Sequence, residues 1–165
     1  MLLVKKSRIQ GNGVFTTKKI PKGTKICTLR GTVFQLKDLK KHSNNFMDPL
    51  QIDFTKYIQL NELYRTINHS CKPNTGIRGK NTLFALTTVA LGKEITYDYS
   101  TTMWEDEKLV NTLLHLPLVT MKCNCHTKNC RKIIKQFYQL PTKLQQKYFT
   151  LNAVPDFIAR QAYQK

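Results

Sequence analysis

The chain has 165 residues, an apolar fraction of 41% and ordinary glycine and proline contents, values typical of one folded globular domain. The 27 Lys and Arg residues outnumber the 10 Asp and Glu residues, so the formal charge of +17 favours polyanionic partners. No run of apolar residues is long enough to span a bilayer, which argues against an integral membrane protein.

The opening stretch MLLVKKSRIQGNG lacks the order of basic, apolar and small residues that defines a secretory signal peptide. The five cysteines are odd in number and unevenly spread, which favours thiols or metal ligands over a disulfide framework. We therefore expect an intracellular protein, cytoplasmic or nuclear, in a reducing compartment.

The first hundred residues are predicted to be mainly β-structure. GVFTTKKI and KICTLRGTVF are rich in β-branched and aromatic residues and flank a turn at Pro21 and Gly23, a pattern that predicts a hairpin. LKDLKKHSNN has helix formers followed by polar breakers, and LQIDFTKYIQL is typical of a further strand. TLFALTTV and EITYDYS flank ALGKE and are predicted as another pair of strands joined by a turn.

After Ser100 the pattern changes to helix. EDEKLVNTLLHLP begins with acidic residues and has apolar residues at Leu109, Leu113 and Leu116, which predicts a helix ended by Pro117. A second helix is predicted over 142–151.

Between these helices the stretch KCNCHTKNCRK carries three cysteines. Cys123 and Cys125 leave the same face of an extended chain, and Cys130 follows after a short loop, so the three thiols can reach one ion. Zinc closes its structural sites with four Cys or His ligands, so a fourth ligand is required. The candidates for it are His126, Cys71 and Cys27. The alternative is three thiols that lie close by chance.

Two further segments carry polar side chains that are ambiguous by themselves. In RTINHSCKPN, adjacent His, Ser and Cys residues point to opposite faces of an extended chain, which argues against a nucleophilic dyad; a structural turn is the alternative. In GKEITYDYS, Tyr97 and Tyr99 share one face. Such a pair serves packing by default, but a phenol can also orient a reacting group.

In their order along the chain, these segments resemble the SET-domain protein lysine methyltransferases. GNGVF and IPKG resemble the amino-terminal motif of the family, RTINHSCKPN resembles R-F-x-N-H-S-C-x-P-N, and EITYDY resembles E-L/I-T-F/Y-D-Y. The cysteine spacing matches the post-SET motif C-x-C-x4-C. The resemblance implies a mainly β SET-domain fold of small sheets with a carboxy-terminal pseudoknot, short helices and a post-SET zinc segment.

The resemblance also assigns roles to residues. Tyr99 takes the position of the catalytic tyrosine, and Tyr97 that of the Phe/Tyr switch that limits how many methyl groups are added. The residues implied to bind S-adenosyl-L-methionine are Gly11, Asn12, Gly13, Arg65, Asn68, His69 and Tyr99. The residues implied to hold one structural zinc ion are Cys71, Cys123, Cys125 and Cys130. Cys27 is left over as a buried thiol.

The expected organisation is a SET domain over 1–100, a helical insertion over 101–120, the post-SET zinc segment over 121–137 and a carboxy-terminal helical tail over 138–165. Two departures from the family pattern stand out. Thr66 replaces the usual Phe of R-F-x-N-H, where Ile67 is the candidate for compensation, and the insertion before Cys123 is longer than a plain linker.

The function implied by the resemblance is S-adenosylmethionine-dependent N-methylation of a lysine side chain in a protein substrate, with mono- or dimethylated product. The alternative is a catalytically inactive basic zinc module that binds nucleic acid or a nucleoprotein. The dispersed lysines are compatible with weak nucleic-acid association through the basic surface in either case.

Overall fold

The computed structural model describes residues 2–43, 46–118 and 120–162. The strands are β1 (Leu2–Lys6), β2 (Asn12–Thr16), β3 (Lys25–Thr28), β4 (Gly31–Gln35), β5 (Leu50–Asp53), β6 (Lys56–Leu60), β7 (Asn68–His69), β8 (Thr75–Arg78), β9 (Thr82–Ala85), β10 (Glu94–Tyr97), β11 (Met121–Lys122) and β12 (Ile133–Ile134). The helices are α1 (Leu39–His42), α2 (Glu62–Arg65), α3 (Glu107–Leu114), α4 (Thr142–Thr150) and α5 (Asp156–Ala162). Three 3-10 turns cover Leu36–Asp38, Tyr99–Thr102 and Phe137–Gln139.

The strands of the described residues form small sheets, as predicted. Their orders are β1-β2-β10-β7, β3-β9-β8 and β4-β6-β5, with β11 and β12 as a separate pair. All pairings are antiparallel except that of β7 with β10, which is parallel. The mainly β prediction for the first hundred residues is thereby confirmed.

The predicted hairpin around Pro21 and Gly23 is wrong. β2 pairs with β1 and β10, whereas β3 pairs with β9, so the turn carries the chain from one sheet to another. The strands on either side of ALGKE are likewise joined by a turn but lie in different sheets. An isolated bridge between Ile20 and Val89 ties the two turns together. The local pattern marks the turns correctly, but it contains no information about the distant partners of each strand.

The helix predicted after Ser100 is α3. Its amino terminus is capped by Asp106, whose side chain accepts a hydrogen bond from the backbone N–H of Leu109. It ends at Leu114, two residues before the end expected from Pro117, because His115 adopts a left-handed conformation (φ 55°) that stops the helix. The second predicted helix is confirmed as α4, which ends one residue sooner than expected.

Several apolar clusters hold these elements together. The central cluster lies between the sheets and includes Ile67, only 1% exposed, which fills space beside the position where Thr66 replaces the family's Phe. A second cluster packs the tail against β9, with Phe137, Tyr148 and Phe157 buried on Phe84. The tail is therefore part of the globular fold.

None of the helices in the described residues is long and apolar enough to cross a membrane.

Candidate active site

The two motifs that resemble the family's site come together at the parallel pair of β7 and β10. Thr96 lies opposite Asn68, and Tyr97 lies opposite His69. Parallel strands need a long crossover between them, here residues 70–93, so this contact joins segments that are far apart in the sequence. The NHSC and YDY segments form one surface as a result.

Tyr97 and Tyr99 lie side by side on this surface, with ring centroids 4.8 Å apart. The hydroxyl of Tyr99 donates a hydrogen bond of 2.7 Å to the carbonyl of Ile67, which fixes the direction of the phenol. Burial raises the pKa of both phenols above the ordinary tyrosine value, so both stay protonated at neutral pH. The two rings form a rigid wall.

Both tyrosines line a cavity of about 580 Å³. Its walls come from the loop before β2, the segment before β5, the end of α2, β7 and the segment before β12, and its volume is in the usual range for a small-molecule site. Of the residues predicted to bind the methyl donor, those that line the cavity are Asn12, Arg65, Asn68, His69 and Tyr99. Arg65 is exposed to solvent on this lining.

Gly11 and Gly13 lie beside the cavity rather than on its lining. Gly11 has a positive φ of 49° and forms the exposed turn before β2. Gly13 is buried in β2, where an added Cβ would overlap the carboxylate of Glu94 and lie 3.1 Å from Nδ2 of Asn68. The missing side chain of Gly13 thus makes room for two polar groups at the cavity wall.

Asn68 holds this wall together. Its Nδ2 amide donates to the carbonyl of Asn12 at 2.9 Å and to Oε1 of Glu94 at 2.8 Å. Glu94 also accepts hydrogen bonds of 2.9 Å from the hydroxyl of Ser7. The amide of Asn68 and the carboxylate of Glu94 therefore connect the loop before β2 to both strands of the parallel pair. The sequence motifs did not indicate this role of Glu94.

His69 is 5% exposed and neutral. Burial lowers its pKa to about 4, although Asp98 acts in the opposite direction. The backbone N–H of Tyr99 donates to Nδ1 of His69 at 3.2 Å, so the ring proton resides on Nε2, which lies 3.4 Å from Sγ of Cys71. His69 is thereby a bridge between the tyrosine segment and the cysteines.

The predicted cysteines converge on one place. Cys71, Cys123, Cys125 and Cys130 belong to one cluster of packed residues, and the Sγ atoms of Cys71 and Cys123 are 3.7 Å apart. Tetrahedral zinc with Zn–S bonds of about 2.3 Å separates its sulfur ligands by about 3.8 Å, so this spacing fits zinc. Backbone N–H groups of Arg131 and Lys132 donate to Sγ of Cys71 and of Cys130, as in the outer shells of metal–thiolate sites.

One detail differs from the predicted ligand set. Within the described residues, the side chains whose ligand atoms all lie within 4.8 Å of one another are His69, Cys71, Cys123 and Cys125. Cys130 is in the same cluster, but its thiol is directed towards the carbonyl of Cys123 at 3.8 Å. His126 and Cys27, the other candidates weighed for the fourth ligand, lie outside this group; Cys27 is half-buried in β3, where burial raises its pKa to about 11.

Asp98 is the central polar residue of the site, and the sequence motif alone did not single it out. Its carboxylate is 1% exposed and accepts hydrogen bonds from Arg131 at 2.6 Å and from the hydroxyl of Tyr148 at 2.7 Å. Oδ1 also lies 3.6 Å from Nδ1 of His69. The alternation in YDY is the available signal, because a residue between two cavity-facing tyrosines must point the opposite way, into the protein.

Glu105 brings a carboxylate to the opposite wall of the cavity. The side-chain amide of Gln51 makes two hydrogen bonds to the backbone of Trp104. Its Nε2 donates to the carbonyl at 3.0 Å, and its Oε1 accepts from the N–H at 2.7 Å. Tyr57 and Gln136 donate to the two oxygens of Glu105, at 3.2 and 3.1 Å. Burial raises the pKa of Glu105. Asp48 lines the same cavity, so the interior of this very basic protein presents two acidic groups.

Comparisons with known proteins place these features in a family. The SET domain profile matches residues 11–100. The chain is 29% identical over 148 residues to histone-lysine N-methyltransferase trithorax of Drosophila melanogaster, a match that covers 78% of this chain and 4% of the relative. It is also 29% identical over 150 residues to the variant-silencing SET domain-containing protein of Plasmodium falciparum, with 78% and 5% covered.

Among solved structures, that of KRYPTONITE in complex with mCHG DNA and SAH superposes with a TM-score of 0.59 at 26% identity, covering 81% of this chain and 29% of the other. Arabidopsis thaliana SUVH6 in complex with SAM gives a TM-score of 0.62 at 21% identity, covering 81% and 33%, and so supports the fold alone. The chain spans between 3% and 6% of the length of the curated relatives it matches. Because the SET domain profile matches more than half of its residues, this chain belongs to the SET-domain family.

Proposed function

We propose that the protein is an S-adenosylmethionine-dependent protein-lysine N-methyltransferase. The observation that carries the proposal is the cavity in which the protonated phenols of Tyr97 and Tyr99 face the Asn68–His69 strand. A module that only binds nucleic acid has no need of a cavity with oriented phenols. The names of the relatives, histone-lysine N-methyltransferases, support the same reaction class.

The cavity fits the methyl donor in size and polarity. Asn12, Arg65, Asn68 and His69, which all line the cavity, would hold it. S-adenosylmethionine supplies a methyl group on a positively charged sulfur. Since that charge is lost on transfer, the protein's task is to align two reactants rather than to stabilise a growing anion.

Tyr99 would orient the reacting groups. Its ring is fixed by the hydrogen bond to Ile67 and by contact with the rings of Tyr97 and His69, 4.8 and 5.4 Å away. A lysine must lose its proton before it can attack, and a channel walled by buried aromatic rings disfavours the ammonium form. Asp48 and Glu105 on the cavity lining would attract positively charged side chains that flank the target lysine.

Tyr99→Phe tests the reaction. We expect methyl transfer to fall by about 100-fold, since a misplaced reactant costs that much, while the fold is kept. The assay is labelling of a whole-cell extract with tritiated methyl donor, followed by identification of the labelled peptides. Tyr138→Phe, which changes a phenol outside the cavity, is the control. Equal activity of Tyr99→Phe and wild type would refute the assigned role.

For the product, we infer mono- or dimethylation. The Tyr97 phenol is 7% exposed and its ring lies 4.8 Å from that of Tyr99, so it occupies space that a methylated amine needs in order to rotate. Tyr97→Phe is expected to shift the product towards trimethyl-lysine in mass spectra of the labelled peptide. A mainly trimethylated wild-type product that Tyr97→Phe does not increase would contradict this role.

The metal proposal is one structural zinc ion held by Cys71, Cys123, Cys125 and Cys130. The 3.7 Å sulfur separation and the N–H groups directed at two of the sulfurs support it. The ion would fix the post-SET segment against the cavity, whose lining includes Cys123. Metal analysis of Cys130→Ser against His69→Gln tests the ligand set: we expect loss of zinc only in the cysteine variant.

The alternative function is an inactive basic zinc module that binds nucleic acid or a nucleoprotein, supported by the charge of +17. Calorimetry of the zinc-loaded protein with S-adenosylmethionine separates the two functions. Binding with one site per chain supports the enzyme, and folded protein that binds no donor supports the module.

A further inference from the structure

The amino-terminal part of the chain carries positive charge without any acidic residue to offset it. Residues 1–37 contain nine Lys and Arg residues and no Asp or Glu. The fold brings part of this charge next to Lys93 from the turn before β10. Thr16 donates its N–H to the carbonyl of Lys93 at 3.0 Å, and the Ile20–Val89 bridge ties the two turns together. We call the resulting group, Lys18, Lys19, Lys22 and Lys93, the lysine ridge.

The lysine ridge is exposed and its charge is not neutralised. All four side chains are exposed, and no ion pair among the described residues includes any of them. The acidic residue next in sequence, Glu94, is turned away towards Ser7 and Asn68 at the cavity wall. The ridge therefore presents four positive charges to solvent from adjoining turns.

The lysine ridge is separate from the catalytic cavity. None of its four lysines lines the cavity. β2 leads from Gly13 at the cavity wall to Thr16 at the ridge, a rise of three residues or about 10 Å. The ridge and the cavity are therefore distinct surfaces of the protein.

The side chains of the ridge turns indicate which polyanion they suit. Proteins that hold single strands combine basic residues with exposed aromatic rings on which bases stack. The two turns, 17–24 and 86–93, contain no aromatic residue. Exposed lysines without such rings suit the phosphate backbone of a duplex, which lysines can bind without contacting the bases.

We propose that the lysine ridge binds the backbone of duplex nucleic acid and thereby holds the enzyme on the carrier of its protein substrate. This arrangement explains how a protein of charge +17 reaches a basic lysine-containing substrate. Its second part rests on the proposed methyltransferase function, whereas duplex binding itself does not. The test therefore measures binding alone.

The experiment is fluorescence anisotropy with a labelled 20-base-pair DNA duplex between 50 and 200 mM salt. The ridge variant changes its four lysines to Ala. The control variant changes Lys40, Lys108, Lys143 and Lys147, which are also exposed, to Ala. Each variant loses four charges, so both fall from +17 to +13.

Each lysine that contacts a phosphate contributes about 0.9 to the slope of log K against log salt. We expect the slope of the ridge variant to shrink by about 3 to 4, and that of the control variant by less than about 1. Equal losses in both variants would overturn the proposal. Tighter binding of a single strand or of a polyglutamate peptide than of the duplex would also overturn it. Circular dichroism confirms that both variants are folded.

A second, independent observation concerns the tail. Tyr148 of α4 donates to Oδ2 of the buried Asp98, while Arg131 donates to Oδ1. The backbone N–H of Arg131 also donates to Sγ of Cys71 at 3.4 Å. The carboxylate between the two cavity tyrosines is thus shared by the tail and the cysteine segment.

We infer that Tyr148 is a positioning residue of the proposed methyl transfer. Without its hydroxyl, the buried Oδ2 of Asp98 would lose the donor that it has among the described residues, and Arg131 would have to turn to satisfy it. That turn moves the segment that carries Cys130 and the zinc-binding side of the cavity. The tail, which lies outside the matched SET segment, thereby becomes part of the active site.

Tyr148→Phe keeps the ring, which is 2% exposed, and removes only the hydroxyl. We expect the KM for S-adenosylmethionine and its calorimetric Kd to rise about tenfold, with kcat within about twofold of wild type. A purely structural role would lower the melting temperature and leave KM and Kd unchanged, which would overturn the inference. Tyr138→Phe is the control. A wild-type protein that binds the donor without methyl transfer would refute the proposed function, while the Kd still tests Tyr148.

Discussion

Replacing Gly13 with alanine is expected to weaken binding of the methyl donor, because the new side chain displaces the carboxylate of Glu94. The new Cβ would overlap Oε1 of Glu94 and lie 2.7 Å from its Cδ, so the Glu94 side chain must leave its position. In leaving, it gives up the hydrogen bonds from Ser7 and Asn68. Asn68 then loses one of the contacts that hold it at the cavity wall.

The size of the effect follows from these bonds. Hydrogen bonds to a charged group contribute about 1.5–3 kcal/mol each when buried, and the partly buried position of Glu94 lets water replace some of that. We take about 2 kcal/mol as the cost of restoring this wall when the donor binds, which corresponds to about a 30-fold weaker Kd for S-adenosylmethionine. The assay is isothermal calorimetry on folded, zinc-loaded protein.

Gly11→Ala is the matched control. Its Cβ would meet no heavy atom within 4 Å, so the only cost is the strained backbone at φ 49°, about 1 kcal/mol in folding stability. We expect its Kd to stay within about threefold of wild type. Glu94→Ala adds a second check, because its effect in the Gly13→Ala background should be small. The reasoning is refuted if Gly13→Ala binds the donor no more weakly than Gly11→Ala.

Gly76→Ala would place a Cβ 2.9 Å from that of Ala153 and overpack the joint between β8 and the tail; we expect a loss of about 1–3 kcal/mol in urea unfolding. Phe157→Ala removes a side chain that is 1% exposed and should cost about 3–5 kcal/mol in the same experiment. Glu105→Gln should raise the KM of a peptide with Arg beside the target lysine by about fivefold and leave that of a neutral peptide unchanged. Chelation should lower the melting temperature and donor affinity together, with recovery on addition of zinc but not of magnesium.

Each of these expectations can fail in a specific way. Unchanged unfolding of the Gly76 and Phe157 variants would mean that the tail does not pack on the sheet. An equal KM change for both peptides would remove Glu105 from substrate selection. Restoration by magnesium would exclude a thiolate site, since magnesium prefers oxygen ligands.

The site was predictable to the extent that its residues lie in short, chemically distinctive segments. The convergence of Cys71 with the late cysteines and the proximity of Tyr97 to Tyr99 follow from motif spacing together with the family resemblance. α4 was predictable because its apolar residues recur at helical spacing and Pro141 precedes it.

The remaining features depend on long-range contacts that the local sequence does not specify. The predicted hairpin failed because β2 finds its second partner about 80 residues away, where register is decided by the packing of whole sheets. The partners of Asp98 come from 33 and 50 residues further along the chain. Nothing in the alternation of YDY indicates that Tyr148 of the tail donates a hydrogen bond to Asp98.

The parallel contact of β7 with β10 has a consequence for synthesis of the chain. During translation the NHSC segment emerges well before its neighbour at 94–97, and the residues that hold Asp98 emerge later still, at 131 and 148. A nascent polypeptide on the ribosome therefore cannot assemble the proposed methyl-donor site until almost all of these segments have left the exit tunnel. Pairing across such sequence separations is slow, on the order of milliseconds to seconds. The strand pair at the proposed site therefore forms late, since a translation product that ends before residue 94 lacks β10.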